Sequence, residues 1–181
     1  LFGPGALLSV RSSSETSDWG GPGTILNVGM CDATADALSE THGPDVAGAV
    51  YTSFIRSYAV YVHRLDADAF ESPITPRLSK AAYEAEMEEA FPQDATVQLA
   101  EVLRSMARAW EGTTARLLRQ AQGAPADAGL GLVVQKMALG PAQGISGAGV
   151  VQFVSSETGE PQVTGRYLPR GQGRQALTEG A

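Results

Sequence analysis

The chain has 181 residues, 43% hydrophobic and 18% charged, with a formal net charge of −7. It is long enough to bury a core, as one domain or as two closely joined lobes, and too apolar for a disordered segment. The negative balance repels nucleic acid and anionic membrane, no basic stripe offsets it, and no apolar run approaches the roughly 20 residues that span a bilayer.

In chain order, residues 6–12 read as a first short strand. Within it, Leu7-Leu8-Ser9-Val10-Arg11-Ser12-Ser13 passes from apolar residues to a cation and hydroxyls. A glycine-rich loop follows, Trp19-Gly20-Gly21-Pro22-Gly23, and residues 24–28 read as a second strand. A guanidinium at a strand end beside a side-chain-poor loop suits a polyanion such as nucleotide phosphate, because Arg offers forked donors and glycines let backbone N–H groups approach. The spacing of neither a phosphate loop nor a dinucleotide fingerprint is present, and most such loops are ordinary turns.

Cys31 is the single cysteine, so no disulfide forms within the chain, which suits a reducing cytoplasm. The chain begins at Leu1 without a charged-then-apolar leader, the pattern of a processed chain or of a piece of something longer. Asp32 can cap a helix to about Thr41, which Gly43-Pro44 would end. Asp45 opens a longer helix, with Val46, Val50, Phe54, Tyr58, Tyr61 and Leu65 on one apolar face. His63 lies off that stripe and reads as a solvated side chain, and His42 as part of a turn.

Residues 66–77 hold two prolines and read as a loop. Thr75-Pro76 can start a helix to about Ala90, whose Glu84, Glu86, Glu88 and Glu89 face water. Asp94 caps the next helix, with Leu99, Val102, Leu103, Met106 and Trp110 as its buried stripe. Thr113 to about Ala121 is a further helix. Residues 130–139 and 149–154 then read as strands, Ser155–Glu160 as a hairpin turn, and Val163 to Leu168 as the returning strand. The order is strands, a helical middle, then an antiparallel meander, an α+β arrangement. The tail from Pro169 is Gly-, Gln- and Arg-rich, and its lack of periodicity reads as partial disorder. No paired His, Cys or carboxylate spacing points to a structural metal. Lys80 and Lys136 are the only lysines among 13 basic residues, which matters because phosphate sites often use a lysine point charge.

With these segments placed, the sequence resembles the nucleotide-binding domain of the pyruvate, phosphate dikinase family, of the ATP-grasp group. The resemblance is carried first by Ser9-Val10-Arg11-Ser12 with Thr24-Ile25-Leu26-Asn27-Val28-Gly29 and Asp32. Tyr51 with Phe54-Ile55 follows, then Phe91-Pro92-Gln93 and Trp110. The most specific block is Val134-Gln135, Met137, Gly140, Ser146-Gly147-Ala148-Gly149-Val150, Thr158-Gly159-Glu160, Gly165, Tyr167-Leu168 and Gln172-Gly173. The Arg-Ser-Ser form of the first block is also similar to the related phosphoenolpyruvate synthases.

The resemblance implies an ATP-grasp-like fold with residues 1–44 in an N-terminal lobe, 45–125 in a helical middle region and 126–181 in a C-terminal lobe. It implies an ATP-dependent phosphotransferase working with Mg²⁺, in which the nucleotide's β-phosphate passes to a histidine on a swivelling domain and then to pyruvate on a barrel domain, forming phosphoenolpyruvate. Arg11 would contact the triphosphate as the catalytic cation, with Gly20, Gly23 and Thr24 against it. Gln135, Lys136, Met137 and Ala138 would form the adenine hinge, the Lys136 carbonyl and Ala138 N–H facing the base. Ser146, Gly147 and Gly149 would form a mobile loop over the phosphates. Phosphoryl transfer rests on positioning and charge neutralisation, so backbone donors and cations suit it.

Departures fall where the chemistry would lie. Gln152-Phe153-Val154 stands for the usual Phe-Thr-Arg, Arg166 and Arg174 replace acids, Asp18–Gly23 lacks the usual acidic end, and Thr52 and Ser53 stand for paired arginines. The family's early lysine would precede Leu1 and its metal carboxylates would follow Ala181, so the isolated chain is expected not to complete the reaction. Two classes of function follow. One is the ATP-binding part of such an enzyme; the other is a catalytically degenerate relative acting as a nucleotide-binding regulator or protein-interaction scaffold, which the inverted charges favour.

Overall fold

A computed structural model describes residues 3, 5–16, 19–72, 75–139 and 145–172. The expectations for Asp18, Gly140, Gly173, Arg174 and the tail from 173 lie outside these residues. The elements combine helices with antiparallel sheets, the expected α+β class. The chain divides into two compact units, residues 1–137 and 138–181.

The first unit holds a three-stranded sheet in the order β2-β1-β3, built from β1 (Leu8–Ser13), β2 (Ile25–Val28) and β3 (Gly131–Lys136). Both pairings of β1 are antiparallel, with Val10 opposite Ile25 on one side and Val134 on the other. The β1–β2 register slips between Leu8 and Val10, close to Asn27, whose φ is 64°. Strand alternation sends Leu8 and Val10 inward and leaves Arg11 exposed. The three-stranded C-terminal meander is met only in part. Strand β3 lies along β1, six residues in register from Leu8–Lys136 to Ser13–Gly131. A run as apolar as Leu132-Val133-Val134 signals a strand, but periodicity does not name its partner.

Among the described residues, five α-helices follow from the capping and period signals. Helix α1 (Asp32–His42) starts after Cys31, so Asp32 sits inside the first turn and makes no side-chain cap. Helix α2 (Pro44–Ser57) continues into a π-helical turn, Tyr58–Val62. Helix α3 (Pro76–Met87) is capped by the Thr75 hydroxyl, which accepts from the Leu78 N–H. Helix α4 (Ala95–Glu111) is capped by Asp94, whose carboxylate accepts from the Thr96 and Val97 N–H groups. Those two bonds hold the Asp94 carboxyl below its usual range. Helix α5 (Thr113–Ala121) packs after it.

The core centres on α2, with Tyr51, Phe54, Ile55 and Tyr58 fully buried. Phe91 meets the rings of Tyr51, Phe54, Tyr58 and Tyr83 at centroid separations from 5.3 to 6.1 Å, edge-on throughout. The inward stripe differs from the expected one at the π turn: Val62 is buried and Tyr61 is 65% exposed. The His63 N–H reaches back five residues to the Tyr58 carbonyl at 3.2 Å, and this wider turn rotates every later side chain. His63 is consequently not solvated. Its ring stands 5.1 Å from Tyr58 and 5.6 Å from Tyr83, with Nε2 3.5 Å from Glu101.

The described residues of the second unit form a hairpin of β4 (Gly147–Val154) and β5 (Pro161–Pro169), paired antiparallel from Gly147–Pro169 to Val154–Pro161.

Candidate functional site

The expected phosphate cation, Arg11, stands on β1 opposite Val133 of β3. Gln135 lies two residues further along β3, so its side chain emerges on the same face. Arg11 Nη2 donates to Gln135 Oε1. The exposed guanidinium is thereby fixed by an amide, with donors left over for an anion. Two residues that the resemblance assigns to triphosphate and adenine hinge therefore touch directly.

The glycine-rich loop joins β1 to β2. The Ser12 hydroxyl donates to the Pro22 carbonyl at 2.7 Å, and the Ser14 hydroxyl to the Gly20 carbonyl at 3.4 Å. Gly20, Gly23 and Thr24 are exposed. The loop spans the side of α4 between two hollows. One, of about 160 Å³, lies between Pro22, Gly23 and Ile25 and the α4 residues Val102, Met106 and Ala109. The other, of about 270 Å³, lies between Trp19, Gly21 and Pro22 and the side chains of Trp110, Leu118 and Arg119.

Of the expected hinge, Gln135 and Lys136 are exposed at the end of β3. The Met137 N–H donates to the Leu7 carbonyl at 2.8 Å, and its sulfur accepts from the Asn27 N–H at 3.2 Å. Met137 therefore braces both neighbouring strands. Ala138, Ser146, Gly147 and Gly149 fall in the second unit. There Gly147 and Gly149 belong to strand β4, facing Pro169 and Tyr167, and not to a loop. A Cβ on Gly147 would come within 2.7 Å of the Tyr167 ring. The missing side chain is what lets that ring lie across the strand, its hydroxyl donating to the Ser146 carbonyl at 2.8 Å.

A polar network absent from the sequence reading joins residues from three of the resembling blocks. Lys80 Nζ lies 2.6 Å from Asp32 Oδ1, and the Tyr51 hydroxyl donates to the same oxygen at 2.9 Å. Gln93 accepts from the Asp32 N–H at 2.8 Å and donates to the Tyr51 hydroxyl at 3.1 Å. Burial raises the Asp32 carboxyl, but hydrogen bonds from Lys80 and Tyr51 outweigh it and hold the group below its usual range. Burial above all pushes the Tyr51 phenol up. Appearance of Asp32, Tyr51 and Gln93 in separate blocks was the available signal; their convergence needs the fold. The network pins α1, α2 and α3 together and engages one of the two lysines.

Among the described residues no group of three or more His, Cys, Asp or Glu side chains could hold a metal ion. No described helix is long and apolar enough to cross a membrane.

No family model matches the chain. Among curated proteins it is similar to pyruvate, phosphate dikinases. It is 29% identical to that of Clostridium symbiosum over 195 residues, 94% of this chain and 22% of the relative. The figures for Rhizobium meliloti are 29% over 194 residues, with the same two shares. The chloroplastic enzyme of Zea mays is 25% identical over 193 residues, 94% of this chain and 20% of the relative. The chain is thus related to pyruvate, phosphate dikinase, and spans about a fifth of the length of these relatives.

Proposed function

We propose that this chain is the ATP-binding portion of a pyruvate, phosphate dikinase-like phosphotransferase, with an ATP-grasp-like fold. The single observation that carries the reading is the exposed Arg11 guanidinium, oriented by Gln135, in a chain 29% identical to such dikinases over 94% of its length. In this reading Arg11 holds the triphosphate and the loop through Gly20, Gly23 and Thr24 supplies backbone donors. Gln135 to Met137 run along the base. A phosphohistidine domain, a pyruvate-binding barrel and Mg²⁺ carboxylates would belong to the rest of the polypeptide or to partner subunits.

The test is calorimetric titration with ATP and Mg²⁺. Arg11→Ala should weaken binding tenfold or more, since a hydrogen bond to a charged group is worth about 1.5–3 kcal/mol. Because the side chain is exposed, urea stability should change by no more than about 0.5 kcal/mol. Unchanged affinity would remove Arg11 from the site. The second reading, a nucleotide-binding regulator or scaffold, draws on Arg166, a cation where the family usually has an acid. Its strand position places it opposite Val150 on the hairpin. ATP binding without AMP formation by the whole polypeptide would favour it.

A further inference from the structure

Both tryptophans of the chain border the same hollow, and the glycine-rich loop forms part of its wall. Trp110, 3% exposed at the end of α4, is held on several sides. Its indole N–H donates to the Ala128 carbonyl at 3.0 Å, in the segment that leads into β3. The Arg119 guanidinium of α5 lies 3.6 Å from the ring centroid, and its Nη1 donates to the Trp110 carbonyl at 2.6 Å. Arg119 is itself buried, at 6% exposed. Burying a guanidinium is costly unless its surroundings answer it, and here a ring face and a main-chain oxygen do so.

The loop backbone passes along the edge of this stack. A Cβ on Gly21 would lie 2.9 Å from Ser12 Oγ on one side and 4.0 Å from the rim of the Trp110 indole on the other. The loop is thus seated between a hydroxyl of β1, next to Arg11, and a ring clamped by Arg119.

We propose that Trp110 and Arg119 are positioning residues for the glycine-rich loop. The clamped indole is a platform that sets where the Gly20–Gly23 backbone stands, and it affects nucleotide binding only through that loop. The second half of this rests on the reading of Arg11 and the loop as a phosphate surface. The platform itself does not.

The test is ¹⁵N relaxation on the full chain, compared with ATP titration. Rigid backbone gives order parameters near about 0.85 and flexible backbone below about 0.6. Trp110→Leu and Arg119→Met should drop Gly20, Gly21 and Gly23 from the rigid to the flexible range while β1 and α2 keep their values, and ATP affinity should fall about tenfold. Trp110→Phe, which keeps a flat ring under the guanidinium, should preserve both. Wild-type order parameters at the three glycines in Arg119→Met, or an equal loss in β1 and α2, would overturn the proposal. If Trp110→Leu does not fold, Arg119→Met decides by the same criterion. A loosened loop with unaltered ATP affinity would overturn the link to the nucleotide. If the wild-type chain does not bind ATP, the nucleotide reading falls, and the relaxation comparison still decides the platform.

Discussion

Gln98 shows how much a single buried polar side chain can organise. It is fully buried on α4, accepts from the Gly29 N–H at 2.8 Å and donates to the Met30 and Pro92 carbonyls at 2.9 and 2.7 Å. One amide thus satisfies three main-chain groups at the junction of β2, α1 and α4. Gln98→Leu fills the space but leaves those groups without that partner, so unfolding free energy should fall by about 3 kcal/mol in urea titrations. The sequence reading put Leu99 and Leu103 on the buried stripe; α4 is turned so that Gln98 and Ser105 are buried instead. Composition gave no warning, because glutamine usually faces water. At Asp32 the expectation concerns pH. Its folded carboxyl is depressed, so its stabilising contribution is full above the ordinary carboxylate value near 3.9 and fades as pH falls through the folded value. The side chain is 58% exposed, which limits the effect to about 0.2–1 kcal/mol. Asp32→Asn should remove that portion of the acid loss, read as a smaller change in urea midpoint between about pH 5 and pH 2.

Among the elements, helix starts were the most legible feature. Thr75 and Asp94 both cap helices as their chemistry demands, because a short polar side chain satisfies N–H groups only one turn away. The α2 stripe was legible through Val50, Phe54 and Tyr58 and then failed within one turn. The π turn inserts a residue, so Val62 enters the core and Tyr61 leaves it. Tyr61→Ser should therefore change stability by no more than about 0.5 kcal/mol, whereas Val62→Ala should cost about 2 kcal/mol. The turn begins at Tyr58, whose ring meets Phe54, Phe91, Tyr83 and His63. Its phenol, buried and hydrogen-bonded to Glu101, is pushed well up from its usual range. Phe54 and His63 are neighbours in sequence, but Tyr83, Phe91 and Glu101 come from distant segments that no local window contains.

At the scale of the molecule, the two units differ in how they are held. Residues 1–137 enclose an aromatic core, while the described hairpin of the second unit exposes Val151, Phe153 and Val163. A two-stranded hairpin is marginal by itself. Amides of Gly147–Pro169 should accordingly exchange at least a hundredfold faster than those of Leu8–Ser13, measured in one hydrogen-exchange experiment on the full chain. The sequence alone determined the α+β class, most helix starts, the β4–β5 hairpin and the kinship with pyruvate, phosphate dikinase, since these rest on short-range periodicity, capping chemistry and ordered motifs. Only the tertiary structure decided that β3 lies along β1, that Gln135 holds Arg11, that Asp32, Tyr51, Lys80 and Gln93 form one network, and that Arg119 clamps Trp110 beside the glycine-rich loop. Each of those contacts joins residues separated by helices or loops, and it forms only when core packing brings their backbones within reach.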